Sequence, residues 1–396
     1  MTTRCSDVAG CRAARGRLRR DAGAMTSIGV PREIKNREYR VALTPAGAHH
    51  LTQAGHDVVV EAGAGLGSAI ADDEYVAAGA RIADTAEQVW GEADVVCKVK
   101  EPVGPEHGLL RADQVLFTYL HLAADRATTD AILAAGTTAI AYETVRSADG
   151  SLPLLAPMSE VAGRLSTQVA AYHLMRNEGG AGVLLGGVPG VDAARVVVLG
   201  AGVVGRHAAE IAVGMRADVT MLDLSMPRLR EIDVAFGGRV RTLASNAWTL
   251  AREVEKADVV IGAVLVPGAR APRLVTDELV ARMRPGSVLV DVAVDQGGCF
   301  ESTHPTTHDD PTFRVHDALF YCVANMPGAV PVTSTRALTN VTLPYLSALA
   351  DLGWRAALTA DPALAGGLTA HAGTLTNEAV ATAHGYGWTD PAVVLG

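Results

Sequence analysis

The sequence predicts an α/β fold of two units, one inserted into the other. Three observations carry that expectation. Short apolar runs alternate with helix-like stretches over most of the chain, a glycine-rich turn joins one run to a helix near residue 200, and an amphipathic stretch follows the last run.

From Met25 onward, apolar runs at 28–31, 58–61, 95–100, 115–121 and 138–143 read as strands separated by helix-like segments, and form the first unit. A bridge rich in small residues covers 151–163, and a polar-apolar helix is expected over 164–178. Val188-Pro189-Gly190 marks a turn. The second unit begins with a run at 196–199, then a helix, then a run that ends on Asp223. Further runs at 258–264, 287–291 and 320–324 read as parallel strands. Over 335–353, Leu338, Val341, Leu343, Leu346, Leu349 and Leu352 are spaced for one helical face. A helical tail after a completed nucleotide sheet is expected to pack back on the first unit.

The glycine turn is the most informative stretch. Gly200-Ala201-Gly202-Val203-Val204-Gly205 follows a strand-like run and opens a helix, with Asp223 closing the next run. Gly200 permits a tight turn, Gly202 lets the backbone approach a pyrophosphate, and Gly205 lets helix and strand pack closely. The helix N-terminus, at Val203 and Val204, faces the phosphate charge. Asp223 can accept both ribose hydroxyls and repels a 2′-phosphate, which favours NAD over NADP. Arg228 either welcomes a phosphate or lies against the adenine. The fold expected is therefore α/β with two Rossmann-like domains, the NAD-binding domain being inserted into a discontinuous substrate domain. Its boundaries are a basic extension over 1–24, a substrate/catalytic domain over 25–155 and 333–396, and an NAD-binding domain over 156–332.

Composition agrees. The 396 residues suit two domains, and 49% hydrophobic against 19% charged residues supply large cores. Aromatics make up only 4%, so the cores must be built from Ala, Val and Leu. A net charge of −9 argues against nucleic acid or an anionic membrane surface as partner. Residues 1–24 carry six arginines against Asp7 and Asp21 with no apolar stretch to make a secretory signal. They read as a disordered tail, a transit peptide, or sequence upstream of a start at Met25. Five cysteines (5, 11, 97, 299, 322) form no paired motif, which points to a reducing cytoplasmic setting. No apolar run reaches membrane-spanning length.

Ligands in open α/β sheets bind beyond the carboxyl ends of strands, so residues just after each run are the chemical candidates. Lys98 and Lys100 end one run and compete for one role; His121 ends another; Asp295 follows the run that ends on Asp291. Arg40 stands near the start of the first unit. Each has a plainer reading: His121 a core histidine, Lys100 a surface partner of Glu101, Asp295 a cap, Arg40 a surface cation. His304 and His308 with Asp309 and Asp310 have ligand-like spacing, but Pro305 disfavours a helix there and no metal is expected.

Taken in order, several strings resemble the alanine dehydrogenase and transhydrogenase NAD-binding subunit family from Met25 nearly to the C-terminus. They are Glu38-Tyr39-Arg40-Val41-Ala42-Leu43-Thr44-Pro45, Lys98-Val99-Lys100-Glu101-Pro102, Leu120-His121-Leu122-Ala123, Pro157-Met158-Ser159-Glu160-Val161-Ala162-Gly163, residues 291–298, and Val323-Ala324-Asn325-Met326-Pro327-Gly328. The resemblance implies reversible NAD-dependent deamination of L-alanine to pyruvate and ammonium. It implies that Arg40 and Lys100 hold substrate oxygens, that His121 is the general acid/base, and that Asp295 orients water and ammonia. It also implies NAD contacts from Ser159, Asp223, Ser245, Val264, Leu265, Val292, Asp295, Val323, Asn325 and Met326, and a homohexamer. Two alternatives accompany it: a transhydrogenase-like NAD(H)-binding subunit without substrate chemistry, and an enzyme of the saccharopine-forming type acting on a larger amino acid.

Overall fold

The computed structural model describes residues 25–264 and 271–396; the expected extension over 1–24 and Leu265 lie outside the described residues. Among these, the chain forms two sheets. The first contains β1 (Ser27–Val30), β2 (Asp57–Glu61), β3 (Arg81–Ala83), β4 (Val95–Cys97), β5 (Val115–Thr118) and β6 (Thr138–Ala141). The second contains β7 (Arg195–Leu199), β8 (Asp218–Asp223), β9 (Val240–Ala244), β10 (Val259–Gly262), β11 (Val288–Asp291), β12 (Thr312–Val315) and β13 (Ala318–Tyr321). The chain then returns to the first sheet as β14 (Leu368–His371) and β15 (Thr374–Leu375).

The parallel strands of each sheet follow the same order. It runs β3-β2-β1-β4-β5-β6 in the first and β9-β8-β7-β10-β11-β13 in the second, the doubly wound arrangement whose direction reverses between its first and fourth strands. Antiparallel β14 extends the first sheet by pairing with β6, and antiparallel β12 extends the second by pairing with β13. Both sheets are buried on two faces. Val196 and Val198 enter one core while Val197 and Leu199 enter the other; Val115 and Phe117 part from Leu116 in the same way. This alternation explains the uninterrupted apolar runs. Leu338, Leu346 and Leu349 of the Pro331–Leu352 helix join the core of the first sheet with Ile28 and Val30, as the helical tail was expected to do.

Several boundaries differ from those expected. The bridge at 151–163 is helical from Ala156, and the helix spans Ala156–His173, ending five residues before Glu178. Pro157 sits in its first turn, where a missing N–H costs nothing. Gly163 persists in mid-helix because a Cβ there would lie 2.3 Å from the Val204 carbonyl oxygen of the crossing Val203–Gly214 helix. The run at 95–100 is a strand only to Cys97, and that at 320–324 only to Tyr321. Strands β3, β9, β12, β14 and β15 went unpredicted: they are short and mostly lie at sheet edges, with polar residues interrupting the apolar pattern.

Candidate active site

At the carboxyl end of β7 the chain turns through Gly200, whose φ of +105° favours glycine and whose absent Cβ leaves room for the Ala263 carbonyl at 2.8 Å. Gly205 has no space at all: a Cβ would meet the Gly200 carbonyl oxygen at 1.8 Å. Gly202 is the reverse case, with open space where its side chain would be. It caps the Val203–Gly214 helix, so the first amides of that helix face a cavity of about 540 Å³. Asp223 closes the far side. Its Oδ2 accepts the Ala201 N–H at 2.6 Å and its Oδ1 the Ser225 N–H at 2.7 Å, which ties the glycine turn to the end of β8. Arg228, Ser245 and Val264 line the same cavity. The shape and donors fit a dinucleotide: an open cradle under a helix N-terminus with a carboxylate at the end of the next strand lining the same cavity.

A second cavity of about 180 Å³ adjoins the first, and Leu155, Ser159 and Val204 line both. Arg40, Lys100, His121, Asp295, Asn325 and Met326 meet there, with Val292 and Val323. These residues come from the segments that follow β1, β4, β5, β11 and β13, so the carboxyl ends of both sheets open onto one space.

Arg40 is no surface cation, being only 2% exposed. Its Nε and Nη2 donate to Glu38 Oε1 and Oε2 at 2.7 and 2.6 Å, and Nη2 also reaches Asn325 Oδ1 at 2.8 Å. Asn325 Nδ2 in turn donates to Glu38 Oε2 at 3.0 Å. Nη1 donates to the Met158 Sδ at 3.0 Å, and Arg40 and Met158 both line the cavity. Burial pushes the Glu38 carboxyl up, but the guanidinium outweighs this and holds it down to about 2.

The two lysines separate. Lys98 is fully buried, 3.1 Å from Glu33 Oε2 and 2.8 Å from Glu106 Oε1, and does not reach the cavity. Lys100 lines it. Burial and the nearby Arg40 charge lower the Lys100 ammonium from its ordinary value. The Glu33 Oε1 accepts the Val99 N–H at 2.6 Å, which fixes the turn between them.

His121 has a left-handed backbone, φ 49°, and donates its N–H to Glu143 Oε1 at 2.7 Å. Its Nδ1 lies 3.4 Å from Glu101 Oε2, so the ring is not a core histidine; its side chain is 43% exposed. Burial raises the Glu101 carboxyl, yet His121, Lys100 and Lys35 hold it well below the usual carboxylate range. Lys100 and Glu101 thus belong to one charged group rather than a surface pair. Asp295 projects from the short turn Val294–Gln296.

Glu33 and Glu143 escaped sequence reading, since neither lies beside a candidate cation in the chain; Glu38 and Glu101 do, and that adjacency was the available signal for their roles. The His304 to Asp310 loop is used otherwise: Asp309 pairs with Arg37, and His304 stacks on Phe313 with ring centroids 3.8 Å apart. Among the described residues no three His, Cys, Asp or Glu side chains converge as metal ligands, and no helix is long and apolar enough to cross a membrane.

Two doubly wound sheets whose carboxyl ends share a glycine-turn cleft and a small charged cavity define a dinucleotide-dependent dehydrogenase. The chain belongs to the alanine dehydrogenase/PNT family: its N-terminal domain model matches residues 29–162 and its C-terminal domain model residues 166–378. The alanine dehydrogenase of Mycobacterium tuberculosis (strain ATCC 25618 / H37Rv) is 62% identical over 368 residues, 93% of this chain and 99% of that protein. A solved L-alanine dehydrogenase superposes with a TM-score of 0.88 at 53% identity, over 91% of this chain and 99% of that one. The transhydrogenase from Sinorhizobium meliloti follows at a TM-score of 0.76 and 29% identity, over 89% and 99%.

Proposed function

We propose that this chain catalyses the reversible, NAD-dependent oxidative deamination of L-alanine to pyruvate and ammonium. The observation that carries this reading is the meeting of Arg40, Lys100, His121 and Asp295 around one cavity of about 180 Å³ beside the glycine-turn cleft. That volume suits a three-carbon acid. A binding subunit without substrate chemistry has no need of two cations and an imidazole there.

Gly200, Gly202, Val203, Val204 and Gly205 are assigned to the NAD pyrophosphate, Asp223 to its ribose, and Arg228, Ser245, Val264 and Leu265 to the adenosine end. Ser159, Val292, Asp295, Val323, Asn325 and Met326 are assigned to the nicotinamide end. NAD, when bound, exchanges hydride with the substrate Cα. The protein's residues do the rest. Arg40 and Lys100 bind the carboxylate and the carbonyl oxygen, since two cations offset the cost of burying an anion. His121 takes a proton from the water that adds to iminopyruvate, and returns one as the carbinolamine collapses to pyruvate and ammonium. Asp295 orients that water and the departing ammonia.

The domains are assigned as 25–155 with 333–396 for substrate and 156–332 for NAD, a division supported by the return of β14 to β6. The reading extends to a cytoplasmic homohexamer, supported by family membership and by three buried free thiols. The test is loss of NADH absorbance with purified protein. Oxidation that needs both pyruvate and ammonium upholds the reading; NADH binding without turnover on any 2-oxo acid refutes it in favour of a binding subunit.

A further inference from the structure

Asp291 is a fully buried carboxylate that the reaction above leaves unused. It ends β11, and the loop that follows carries Val292 and Asp295 into the substrate cavity. Its Oδ1 accepts the Ala293 N–H at 3.1 Å, at the start of that loop. Its Oδ2 accepts the Cys299 N–H at 2.9 Å, at the end. The Thr303 hydroxyl, which also lies 3.2 Å from Cys322 Sγ, and the Phe300 N–H face the same carboxylate and favour its charged form. One side chain therefore closes the loop on itself, from entry to exit.

The surrounding backbone is built around this carboxylate. Gly298, φ +75°, approaches so closely that a Cβ would lie 2.5 Å from Asp291 Oδ2 and 2.0 Å from Thr303 Cγ2. Gly262 on the neighbouring strand leaves 3.3 Å between its missing Cβ and Oδ1. The Gly298 N–H returns to the Ala293 carbonyl at 3.1 Å, which completes the narrow neck. Asp295 sits at the apex of the loop, in the turn Val294–Gln296, and is itself exposed. The buried Val294 side chain and the Gly297 N–H, bonded to the Val294 carbonyl at 3.0 Å, shape the turn itself, and the neck sets where that turn stands.

We propose that Asp291 is a positioning residue for the reaction: it clamps both ends of the 292–298 loop and so holds Asp295 at the substrate. This rests on the deaminase reading above. Asparagine at this site keeps the volume but offers one acceptor where two are needed, and its amide faces a backbone N–H, donor to donor. A displacement of the order of 1 Å at Asp295 suffices to cost about 100-fold in rate.

The experiment is a double-mutant cycle in the NADH, pyruvate and ammonium assay, using D291N, D295N and the double variant, with NADH affinity followed by fluorescence and folding by thermal unfolding. D291N is expected to lower kcat by about 10- to 100-fold while the NADH Kd stays within about 3-fold, and D291N/D295N to be no slower than D295N alone. A structural loss unrelated to Asp295 multiplies instead. Wild-type kcat in D291N, or a double variant slower than D295N by the full D291N factor, overturns the inference. Thr303→Val removes one hydroxyl donor to Asp291 with little change in shape. It is expected to give a smaller loss of kcat that also vanishes in the D295N background, and it serves if D291N does not fold; an undiminished loss there overturns the inference too. Wild-type protein inactive with pyruvate and ammonium overturns the deaminase reading itself, whereas active wild type with a normal D291N overturns only the clamp.

Discussion

Glu38 grips two corners of the Arg40 guanidinium, and both residues bond Asn325 of the other sheet. The arginine reaches the cavity as a fixed group rather than a mobile cation. Glu38→Ala leaves it buried and unpaired, and is expected to destabilise the protein by about 3–5 kcal/mol in urea unfolding. The Glu38 carboxyl is held down to about 2 from an ordinary 4.5. A lowered carboxyl stabilises fully above its unfolded value, and the contribution fades as pH falls from about 4.5 towards 2. Thermal unfolding of E38Q should be flatter than wild type across that window; parallel curves refute the pairing.

His121→Ala and Asp295→Asn are each expected to lower kcat by about 100-fold or more while NADH binding persists. Stopped-flow turnover beside fluorescence titration separates the two effects. Wild-type turnover in either variant removes that residue from the mechanism.

Lys98 and Lys100, two residues apart, should fail differently. Lys98→Met leaves Glu33 and Glu106 buried without their cation and is expected to cost about 3–5 kcal/mol of stability. Lys100→Met should fold normally and raise the KM for pyruvate. Because the Lys100 ammonium is lowered, its charge is lost as pH rises through a value below the ordinary 10.5, and wild-type kcat/KM for pyruvate should fall there. A pyruvate profile in Lys100→Met that still falls in that range argues against this assignment.

Asp223→Ala is expected to weaken NADH binding by about 10-fold or more, from lost bonds to a charged acceptor. The same change should narrow the preference for NADH over NADPH. An unchanged dissociation constant is incompatible with the ribose role.

Gly163→Ala puts a methyl 2.3 Å from the Val204 carbonyl and forces two crossing helices apart. A loss of about 1–3 kcal/mol is expected. Since Val204 lines both cavities, the NADH Kd should rise with it. A thermal midpoint equal to wild type means the helices give way at no cost.

The glycine turn and the central strands were legible because each leaves a local mark. Gly200 needs a positive φ, Gly205 an absent side chain, and doubly buried strands such as Val196 to Leu199 need apolar residues at every position. What was not legible depends on partners distant in sequence. Pro157 and Gly163 belong to a stretch that reads as a bridge of small residues until the first-turn position of one and the crossing helix of the other are seen. Lys98 and Lys100 were equivalent on a continuous strand, whose faces alternate with period two. The strand stops at Cys97, and the turn sends them to different places. Asp291 looked like a strand end because its ligands, the amides of Ala293 and Cys299, carry no side-chain signature.

The pairing of β14 with β6 has a consequence in time. Thr138 and His371, bonded at 2.9 Å, are separated by 233 residues, and between them lies the whole second sheet. During synthesis, β6 is an open edge from the moment it forms until its antiparallel partner emerges. The second sheet is contiguous in sequence and is expected to close before β14 reaches β6, inverting the usual N-terminal-first order of domain folding. Release of the chain just before Leu368 is expected to yield protein that binds NADH yet aggregates, which light scattering reads directly; a monodisperse product contradicts this order. The strand pair Leu368–His371 and Thr374–Leu375, made after the whole second sheet, thus decides whether an edge formed far earlier in the chain is covered.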